Sequence, residues 1–179
     1  MLTGGSSSRM GRDKATIRMS GETLASRTAR ILSAVASPCF EVGPGVSSLP
    51  ALREDPPGSG PLAAIAAGAS ALAVGLPALV VACDLPRLDA DLLRWLAGHP
   101  ARGSVVPIWD GRPQPLCARW SATALGTVPR LVAAGARSMH VLLDRPGTVL
   151  VAPPDRLVTA LADVDTPEQL AEVPGIDSE

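Results

Sequence analysis

The sequence of 179 residues predicts a single α/β domain with a mostly parallel sheet. Short apolar segments typical of strands alternate with segments typical of helices, and this alternation favours strands joined by crossing helices. The clearest strand is the continuous apolar run at residues 78–82, which is bounded by turn residues and is typical of a strand buried on both faces. No long linker interrupts the pattern, so we assign residues 1–179 to one domain.

The remaining elements follow from periodicity and from capping residues. Residues 104–109 predict a strand, Asp110-Gly111 a tight turn, and residues 114–120 one strand that returns antiparallel. Pro61 suits the first turn of an alanine-rich helix, and Thr166-Pro167 suits the start of the last one. Further strands are predicted at residues 39–42, 49–53 and 148–152, and further helices at residues 22–36, 89–97, 121–134 and 139–143.

Composition excludes several classes of protein. A net charge of −1 argues against a broad nucleic-acid-binding surface. No apolar run reaches membrane-spanning length, and no secretory signal pattern follows Leu2, so we expect no membrane partner. Cys39, Cys83 and Cys117 lie far apart and form no C-x-x-C pair, which is typical of reduced thiols in a cytosolic protein. We therefore expect a cytoplasmic protein.

The first fifteen residues predict a phosphate-binding loop. Gly4 and Gly5 allow backbone N–H groups to approach a ligand closely, and successive amides form an anion-binding nest. Arg9 and Lys14 add positive charge, and Lys14 is the only lysine in the chain. The stretch contains no G-x-x-x-x-G-K-[ST] pattern, so it is not the P-loop of that class of NTPases.

Carboxylates follow other predicted strands, where ligands of open α/β sheets bind. Asp84 comes directly after the strand at residues 78–82 and is predicted to hold Mg²⁺, whereas Asp89 lies closer to the next helix and suits its N-cap. Asp165 is either a second metal ligand or a turn residue before the Thr166 cap. Asp55 either accepts hydrogen bonds from a base or ribose or closes an Asx turn.

This set of residues suits chemistry at an α-phosphate. A Mg²⁺ ion at Asp84 would neutralise charge as pyrophosphate leaves, and Lys14 and Arg9 would stabilise the transition state electrostatically. No covalent nucleophile is required, because the phosphate of a second substrate can attack in line. Nor does any serine have the histidine and aspartate partners that an acyl-transfer triad needs.

Six motifs, in order along the chain, resemble one family. Residues 2–14 read LTGGSSSRMGRDK and resemble the L-x-G-G-x-S-x-R-M-G-x-D-K signature of the molybdenum cofactor guanylyltransferases, the MobA family. The other five motifs are DPPGSGPL at residues 55–62, CDLP at 83–86, WDGRPQPL at 109–116, GARS at 135–138 and DVDTPEQL at 163–170. The resemblance covers nearly the whole chain.

The resemblance implies both a fold and a reaction. The fold is a three-layer α/β/α nucleotidyltransferase fold, like that of nucleotide-diphospho-sugar transferases. The reaction transfers GMP from GTP to the molybdopterin-bound molybdenum cofactor, with Mg²⁺, and releases pyrophosphate. Molybdoenzymes or other cofactor-biosynthesis proteins are implied as protein partners.

The resemblance also implies roles for residues at matching positions. Leu2, Thr3, Gly4 and Gly5 would contact the nucleotide, Lys14 the phosphates, Asp55 the guanosine, and Asp84 both GTP and metal, while Arg137, Ser138 and residues 111–116 would face the molybdopterin.

Three departures from the family pattern affect these expectations. Only residues 1–3 stand where the family usually has a full strand, so this strand is expected to be short. Gly43 stands where members often carry an asparagine that contacts the base. Asp163 and Asp165 replace two asparagines, as in related cytidylyltransferases, whereas the pair Gly4-Gly5 favours guanine. The alternatives are a cytidylyl- or sugar-phosphate nucleotidyltransferase and a non-catalytic nucleotide- or cofactor-binding module.

Overall fold

The computed structural model describes residues 1–4, 13–164 and 166–177. The strands are β1 (Arg18–Met19), β2 (Glu22–Thr23), β3 (Glu41–Val42), β4 (Ala51–Leu52), β5 (Ala78–Val81), β6 (Ser104–Trp109), β7 (Arg112–Pro113), β8 (Cys117–Trp120) and β9 (Thr148–Val151). The α-helices are α1 (Leu24–Ser33), α2 (Pro61–Ser70), α3 (Ala90–Gly98), α4 (Ala122–Ala133), α5 (Asp155–Val158) and α6 (Pro167–Ala171). Short 3₁₀ helices span Lys14–Thr16, Met139–Leu142 and Thr159–Leu161.

The largest sheet has five strands in the order β5-β8-β6-β7, with β9 paired to β6. Three of its four pairings are antiparallel (β5 with β8, β6 with β8, β6 with β7), and only β6 with β9 is parallel. The prediction of a mostly parallel sheet with one antiparallel strand is therefore wrong for this sheet; what stands is a mixed α/β fold.

The cause of this pairing pattern is the tight turn after β6. Asp110 and Gly111 both have positive φ, at 48° and 70°, as a two-residue hairpin turn requires. The turn sends the chain back antiparallel along β6, first as β7 and then as β8. Because β8 then lies between β5 and β6, two strands that would otherwise pair in parallel are separated.

A second group of strand contacts is parallel and includes the start of the chain. Strands β3 and β4 pair in parallel, and Leu2 forms parallel bridges to Val42 and to Ala82. The N–H of Leu2 donates to the carbonyl of Val81 at 2.8 Å, and the N–H of Thr3 donates to that of Val42 at 3.1 Å. Leu2 and Thr3 therefore extend between β3 and β5 and place Gly4 beyond the carboxyl ends of both strands.

Helices cover both faces of the five-stranded sheet. Neighbouring strand residues point to opposite faces, and Val105 and Val106 accordingly belong to two different buried clusters. The Val105 cluster contains residues of α1 and α3, and the Val106 cluster contains residues of α2 and α4. Their buried members include Ile31, Leu92 and Leu96 on the first side and Leu62, Ile65 and Val128 on the second. The sheet is thus enclosed between two helical layers.

Side-chain caps confirm most of the predicted helix starts. Asp89 accepts a hydrogen bond from the N–H of Leu92 at 2.8 Å, and Ser121 accepts one from the N–H of Ala124 at 3.2 Å. Thr166 caps α6 in a capping box with Gln169. In the part of the chain that the structure describes, no helix is both long and apolar enough to span a membrane.

The helix predicted over residues 22–36 is shorter than expected. It begins at Leu24, because Glu22–Thr23 is strand β2, and Thr23 is its N-cap. Strand β2 pairs with β1 in a hairpin that the sequence reasoning did not predict. Ser20 and Gly21 connect the two strands, both with positive φ. The dipeptide Ser-Gly is a turn signal that was available in the sequence.

Candidate active site

A cavity of about 640 Å³ lies where residues 2–4, β3 and β5 end. Its wall brings together segments that are distant in sequence, including Gly4, Lys14, Gly43, Gly58 and Asp84. This is the edge of the sheet at which α/β proteins bind ligands. With Leu116 from the motif at residues 109–116, the structure joins four of the predicted motifs in one cavity.

Lys14 is held at the cavity by a capped turn. It begins the 3₁₀ helix Lys14–Thr16, and the Asp13 carboxylate accepts a hydrogen bond from the N–H of Ala15 at 3.0 Å. The Lys14 side chain is 16% exposed, and its Nζ lies 3.8 Å from Oδ2 of Asp84, whose side chain is 31% exposed. A lysine held at the wall of a partly closed cavity is well placed to contact an anion.

Asp84 occupies the position that the sequence predicts, directly after the β5 strand and its bridge to Leu2. The N-cap of α3 is Asp89, so Asp84 is not needed to start that helix. The carbonyl of Asp84 accepts a hydrogen bond from the N–H of buried Val164 at 3.2 Å, which ties the last motif to the cavity edge. Asp165, the other predicted metal ligand, lies outside the described residues, as do Gly5 and Arg9.

The segment around Asp55 lines the cavity, but Asp55 itself is not among the described lining residues. Among the described residues that line the cavity are Glu54, Pro57 and Gly58, but not Asp55, whose side chain is exposed. The Glu54 carboxylate accepts a hydrogen bond from the N–H of Gly58 at 3.0 Å and so shapes this loop. The guanosine contact assigned to Asp55 remains a prediction.

Of the two motifs expected on the molybdopterin side, one contacts this loop and the other reaches the cavity. The carbonyl of Arg137 accepts a hydrogen bond from the N–H of Leu62 at 3.0 Å, and the Arg137 guanidinium donates to the carbonyl of Ser59 at 3.2 Å. Ser138 caps the 3₁₀ helix Met139–Leu142. Leu116, at the end of the other motif, lines the cavity itself. The Arg137 segment therefore contacts residues 59–62 behind the cavity wall, and the other motif reaches the wall itself through Leu116.

The described part of the cavity wall is not rich in positive charge. Its described ionisable side chains are three carboxylates (Asp13, Glu54 and Asp84) and two cations (Lys14 and Arg53). A triphosphate would meet net negative charge there, so its binding requires further cations. Arg9 and Arg12, outside the described residues, and a divalent metal ion at Asp84 are the sources that the chain offers.

Glu41 is the residue that sequence reasoning missed. It lies in β3 with 0% exposure, and both of its carboxylate oxygens accept hydrogen bonds. Oε1 accepts from the Thr3 hydroxyl at 2.6 Å and from the N–H groups of Gly45 and Val46 at 2.8 and 2.9 Å. Oε2 accepts from the N–H and the hydroxyl of Ser47 at 2.8 and 2.6 Å. A glutamate inside an apolar strand, followed by a Gly-Pro-Gly loop, was the available signal.

These hydrogen bonds keep Glu41 ionised. Burial alone would raise the pKa of its carboxyl group, but the bonds from Ser47, Thr3 and Val46 outweigh it and lower the pKa from 4.5 to about 2. The folded state therefore binds the proton more weakly than the unfolded state does. This contribution to stability is complete above about pH 4.5 and is lost as the pH falls through about 2.

Acid unfolding provides a test of this buried carboxylate. At pH 7 the Glu41→Gln variant is expected to be about 2 kcal/mol less stable than the wild type, because N–H groups lose a charged acceptor. Below pH 4.5 this difference in the free energy of unfolding should shrink, because the stability that the ionised Glu41 gives the wild type is lost as the pH falls toward 2. Urea unfolding of both proteins at several pH values measures this. A difference that is independent of pH down to about 2.5 would contradict the assignment.

The structure explains why residue 43 is a glycine in this chain. A Cβ atom at this position would lie 2.1 Å from Oγ1 of Thr3, which is too close for any side chain unless Thr3 moves. The Thr3 hydroxyl is in turn bonded to Glu41. With Thr3 held by Glu41, residue 43 has no room for the asparagine that the family pattern often has here. Gly43 and Pro44 form this part of the cavity wall.

A second cavity, of about 200 Å³, lies between α1 and α2 beside β5. Its described wall is apolar and includes Leu32, Ile65, Leu79 and Leu125, with no charged side chain. Because no described side chain there could balance the charge of a phosphate, the larger cavity is the candidate active site.

A glycine-lined cavity at strand ends, holding one lysine against one aspartate, is typical of α/β domains that bind nucleotides. Comparison with known proteins agrees with this class. The MobA-like NTP transferase domain family matches residues 1–164. The chain belongs to this family of nucleotidyltransferases.

Two curated relatives carry the same description, probable molybdenum cofactor guanylyltransferase. The protein of Mycobacterium tuberculosis strain H37Rv is 39% identical over 155 residues, which cover 80% of this chain and 77% of the relative. The protein of Mycobacterium avium strain 104 is 34% identical over 181 residues, covering 95% of this chain and 91% of the relative.

Solved structures show the same fold. The molybdopterin-guanine dinucleotide biosynthesis protein A of Archaeoglobus fulgidus aligns with a TM-score of 0.75 at 22% identity, covering 95% of this chain and 93% of that one. The 2-C-methyl-D-erythritol 4-phosphate cytidylyltransferase of Thermus thermophilus aligns with a TM-score of 0.66 at 18% identity, covering 88% and 90%. The predicted nucleotidyltransferase-like fold is confirmed at this level.

Proposed function

We propose that this protein transfers GMP from GTP to the molybdopterin-bound molybdenum cofactor, giving the guanine dinucleotide cofactor and pyrophosphate. The observation that carries the proposal is the 3.8 Å approach of Lys14 Nζ to Asp84 Oδ2 across one cavity, from two separate family motifs. Membership of the MobA-like family and the names of the mycobacterial relatives support the choice of substrates.

In this reaction the chain supplies position and charge. The phosphate of the molybdopterin attacks the α-phosphorus of GTP in line, a new phosphoanhydride bond forms, and pyrophosphate leaves with the electrons of the broken bond. Lys14 stabilises the negative charge that develops on the phosphate oxygens, and its small exposure to water strengthens that interaction. The capped turn at Asp13 holds Lys14 in place without help from the ligand.

The residues present fit a Mg²⁺ ion. Asp84 offers a hard oxygen ligand that is partly exposed in the cavity. The described residues contain no cluster of three or more acidic, histidine or cysteine side chains able to hold a metal alone. Mg²⁺ commonly binds through one or two carboxylates together with substrate phosphates, which suits Asp84, with Asp165 as the second candidate. When bound, the ion would neutralise triphosphate charge.

The direct test is a turnover assay with purified protein, molybdopterin cofactor, MgCl₂ and each nucleoside triphosphate in turn. We expect pyrophosphate release with GTP, at least about tenfold faster than with CTP, in line with the discrimination that hydrogen bonds to a base provide. The dinucleotide product should appear in equal amount by mass spectrometry. Omission of Mg²⁺ should stop the reaction.

Two other outcomes correspond to defined alternatives. A preference for CTP would identify a cytidylyltransferase, which the likeness to the Thermus thermophilus enzyme and the lack of a base-reading side chain at Gly43 both allow. GTP binding without pyrophosphate release would identify a non-catalytic binding module. A cytoplasmic location and a contact with molybdoenzymes, which would receive the product, form part of the same proposal.

A further inference from the structure

Glu41 forms a network of contacts that the proposed chemistry does not use. Its five hydrogen bonds join β3 to Thr3 on one side and to residues 45–47 on the other. Ionised carboxylates are costly to bury unless they are fully hydrogen-bonded. Movement of the loop away from Glu41 would leave this charge without its donors. The carboxylate therefore fastens the loop in one conformation.

The segments on either side of Glu41 contribute to the cavity wall. Thr3, Gly43 and Pro44 line the cavity, while Glu41 itself and Ser47 are not among the described lining residues. Glu41 thus acts on the cavity through its neighbours. Gly43 packs directly against the Thr3 hydroxyl, since a Cβ atom on Gly43 would lie 2.1 Å from Thr3 Oγ1. The two sides of the network are therefore in direct contact.

This wall differs in character from the end that holds Lys14 and Asp84. Neither Gly43 nor Pro44 has a polar side chain, so the polar groups offered there belong to the backbone. The guanidinium of Arg53, which also lines the cavity, donates to the carbonyl of Pro44 at 3.2 Å and so holds this part of the wall. The backbone groups of Gly43 and Pro44 suit the edge of a base or a ribose, whereas the triphosphate is expected at the end that holds Lys14 and Asp84.

We propose that Glu41 is a positioning residue for nucleotide binding: by holding Thr3 and residues 45–47, it fixes Thr3, Gly43 and Pro44 as the wall that contacts the base of GTP. The inference rests on the proposed function. A wall that is already ordered before binding spares the nucleotide the free energy of ordering it. Glu41 therefore sets the affinity for GTP and leaves the chemical step to Lys14 and Asp84.

Two substitutions test this role through KM and kcat for GTP with Mg²⁺. Glu41→Gln keeps the shape but replaces one acceptor oxygen with an NH₂ group that faces N–H donors, and we expect KM to rise about tenfold. Ser47→Ala removes only the hydroxyl bonded to Oε2, and we expect a rise of about threefold. In both variants kcat should stay within about twofold of the wild type, which is the signature of lost uniform binding.

Glu22→Gln is the matched control. Glu22 is also bonded to other side chains, with its Oε1 2.6 Å from the Arg30 guanidinium, but it does not line the cavity. Its loss should lower thermal stability and leave KM unchanged. A role for Glu41 in stability alone would make the Glu41 and Glu22 variants behave alike in KM.

The outcomes separate this proposal from the one it rests on. If the wild type neither binds GTP in calorimetry nor releases pyrophosphate, both proposals are overturned. If the wild type is active and KM stays within about twofold in Glu41→Gln and Ser47→Ala, only the positioning role is overturned. Should Glu41→Gln fail to fold, the Ser47→Ala result decides.

Discussion

Replacement of Lys14 with alanine is expected to lower kcat/KM for GTP by about 10³-fold, the size of effect seen when one preorganised charge-stabilising donor is removed. Lys14 Nζ lies 3.8 Å from Asp84, and its capped turn holds it at the cavity. Loss of this partly exposed ion pair should change the free energy of unfolding by less than about 1 kcal/mol. Pyrophosphate release and urea unfolding of the same preparation measure the two effects.

Matched variants define what Lys14 contributes. Lys14→Arg keeps the charge but changes its shape, so it should recover only part of the activity. Arg94→Ala removes an exposed cation that is paired with Asp91 on α3, and should leave turnover unchanged. Retention of more than a tenth of the wild-type rate in Lys14→Ala would refute the assigned role.

Chemical modification of Lys14 provides an independent measurement. Lys14 is the only lysine, so a lysine-selective acylating reagent followed by peptide mass spectrometry reports on this one side chain. GTP with Mg²⁺ should slow its modification if the ammonium group contacts the phosphates. Equal rates with and without GTP would place the nucleotide elsewhere, whatever the kinetics of the alanine variant.

Local structure was predictable where a residue acts on its own neighbours. The strand Ser104–Trp109 and its turn at Asp110-Gly111 follow from an apolar run and from the φ values that the turn demands. The caps at Asp89 and Ser121 follow in the same way, because a cap bonds a backbone N–H three residues ahead.

Strand pairing was not predictable in the same way, since it depends on which segments meet in space. The returning strand β8 was expected, but not its place between β5 and β6, which makes most pairings of this sheet antiparallel. Both faces of the sheet are covered by helices, so the apolar run at β5 does not reveal the direction of its neighbour.

The same limit applies to the site. Lys14 and Asp84 were found because their motifs have a chemical meaning at each position. Glu41 was missed because its partners, Thr3 and residues 45–47, become donors to one carboxylate only after the chain has folded.

Substitution of Asp84 and of Asp89, which lie five residues apart, tests the catalytic role predicted for the first against the helix-capping role of the second. Asp84 lines the cavity, whereas Asp89, five residues later, caps α3 through the N–H of Leu92 at 2.8 Å. Asp84→Asn removes the charge that would hold a metal ion, and should lower kcat/KM by about 10³-fold, a loss of several kcal/mol in transition-state stabilisation. Asp89→Ala should cost about 1 kcal/mol of stability and leave turnover unchanged.

The two variants are thus expected to give opposite results in thermal stability and in the response of the melting temperature to Mg²⁺ with GTP. The stability of Asp84→Asn should be close to that of the wild type, but the further rise in melting temperature that Mg²⁺ gives with GTP should disappear, because ligand stabilisation requires binding to the folded state. Asp89→Ala should melt earlier and keep this rise. If Asp84→Asn retained both turnover and the rise, the phosphate end of the cavity would have to be reassigned. Asp165 would then be the remaining predicted metal ligand to substitute.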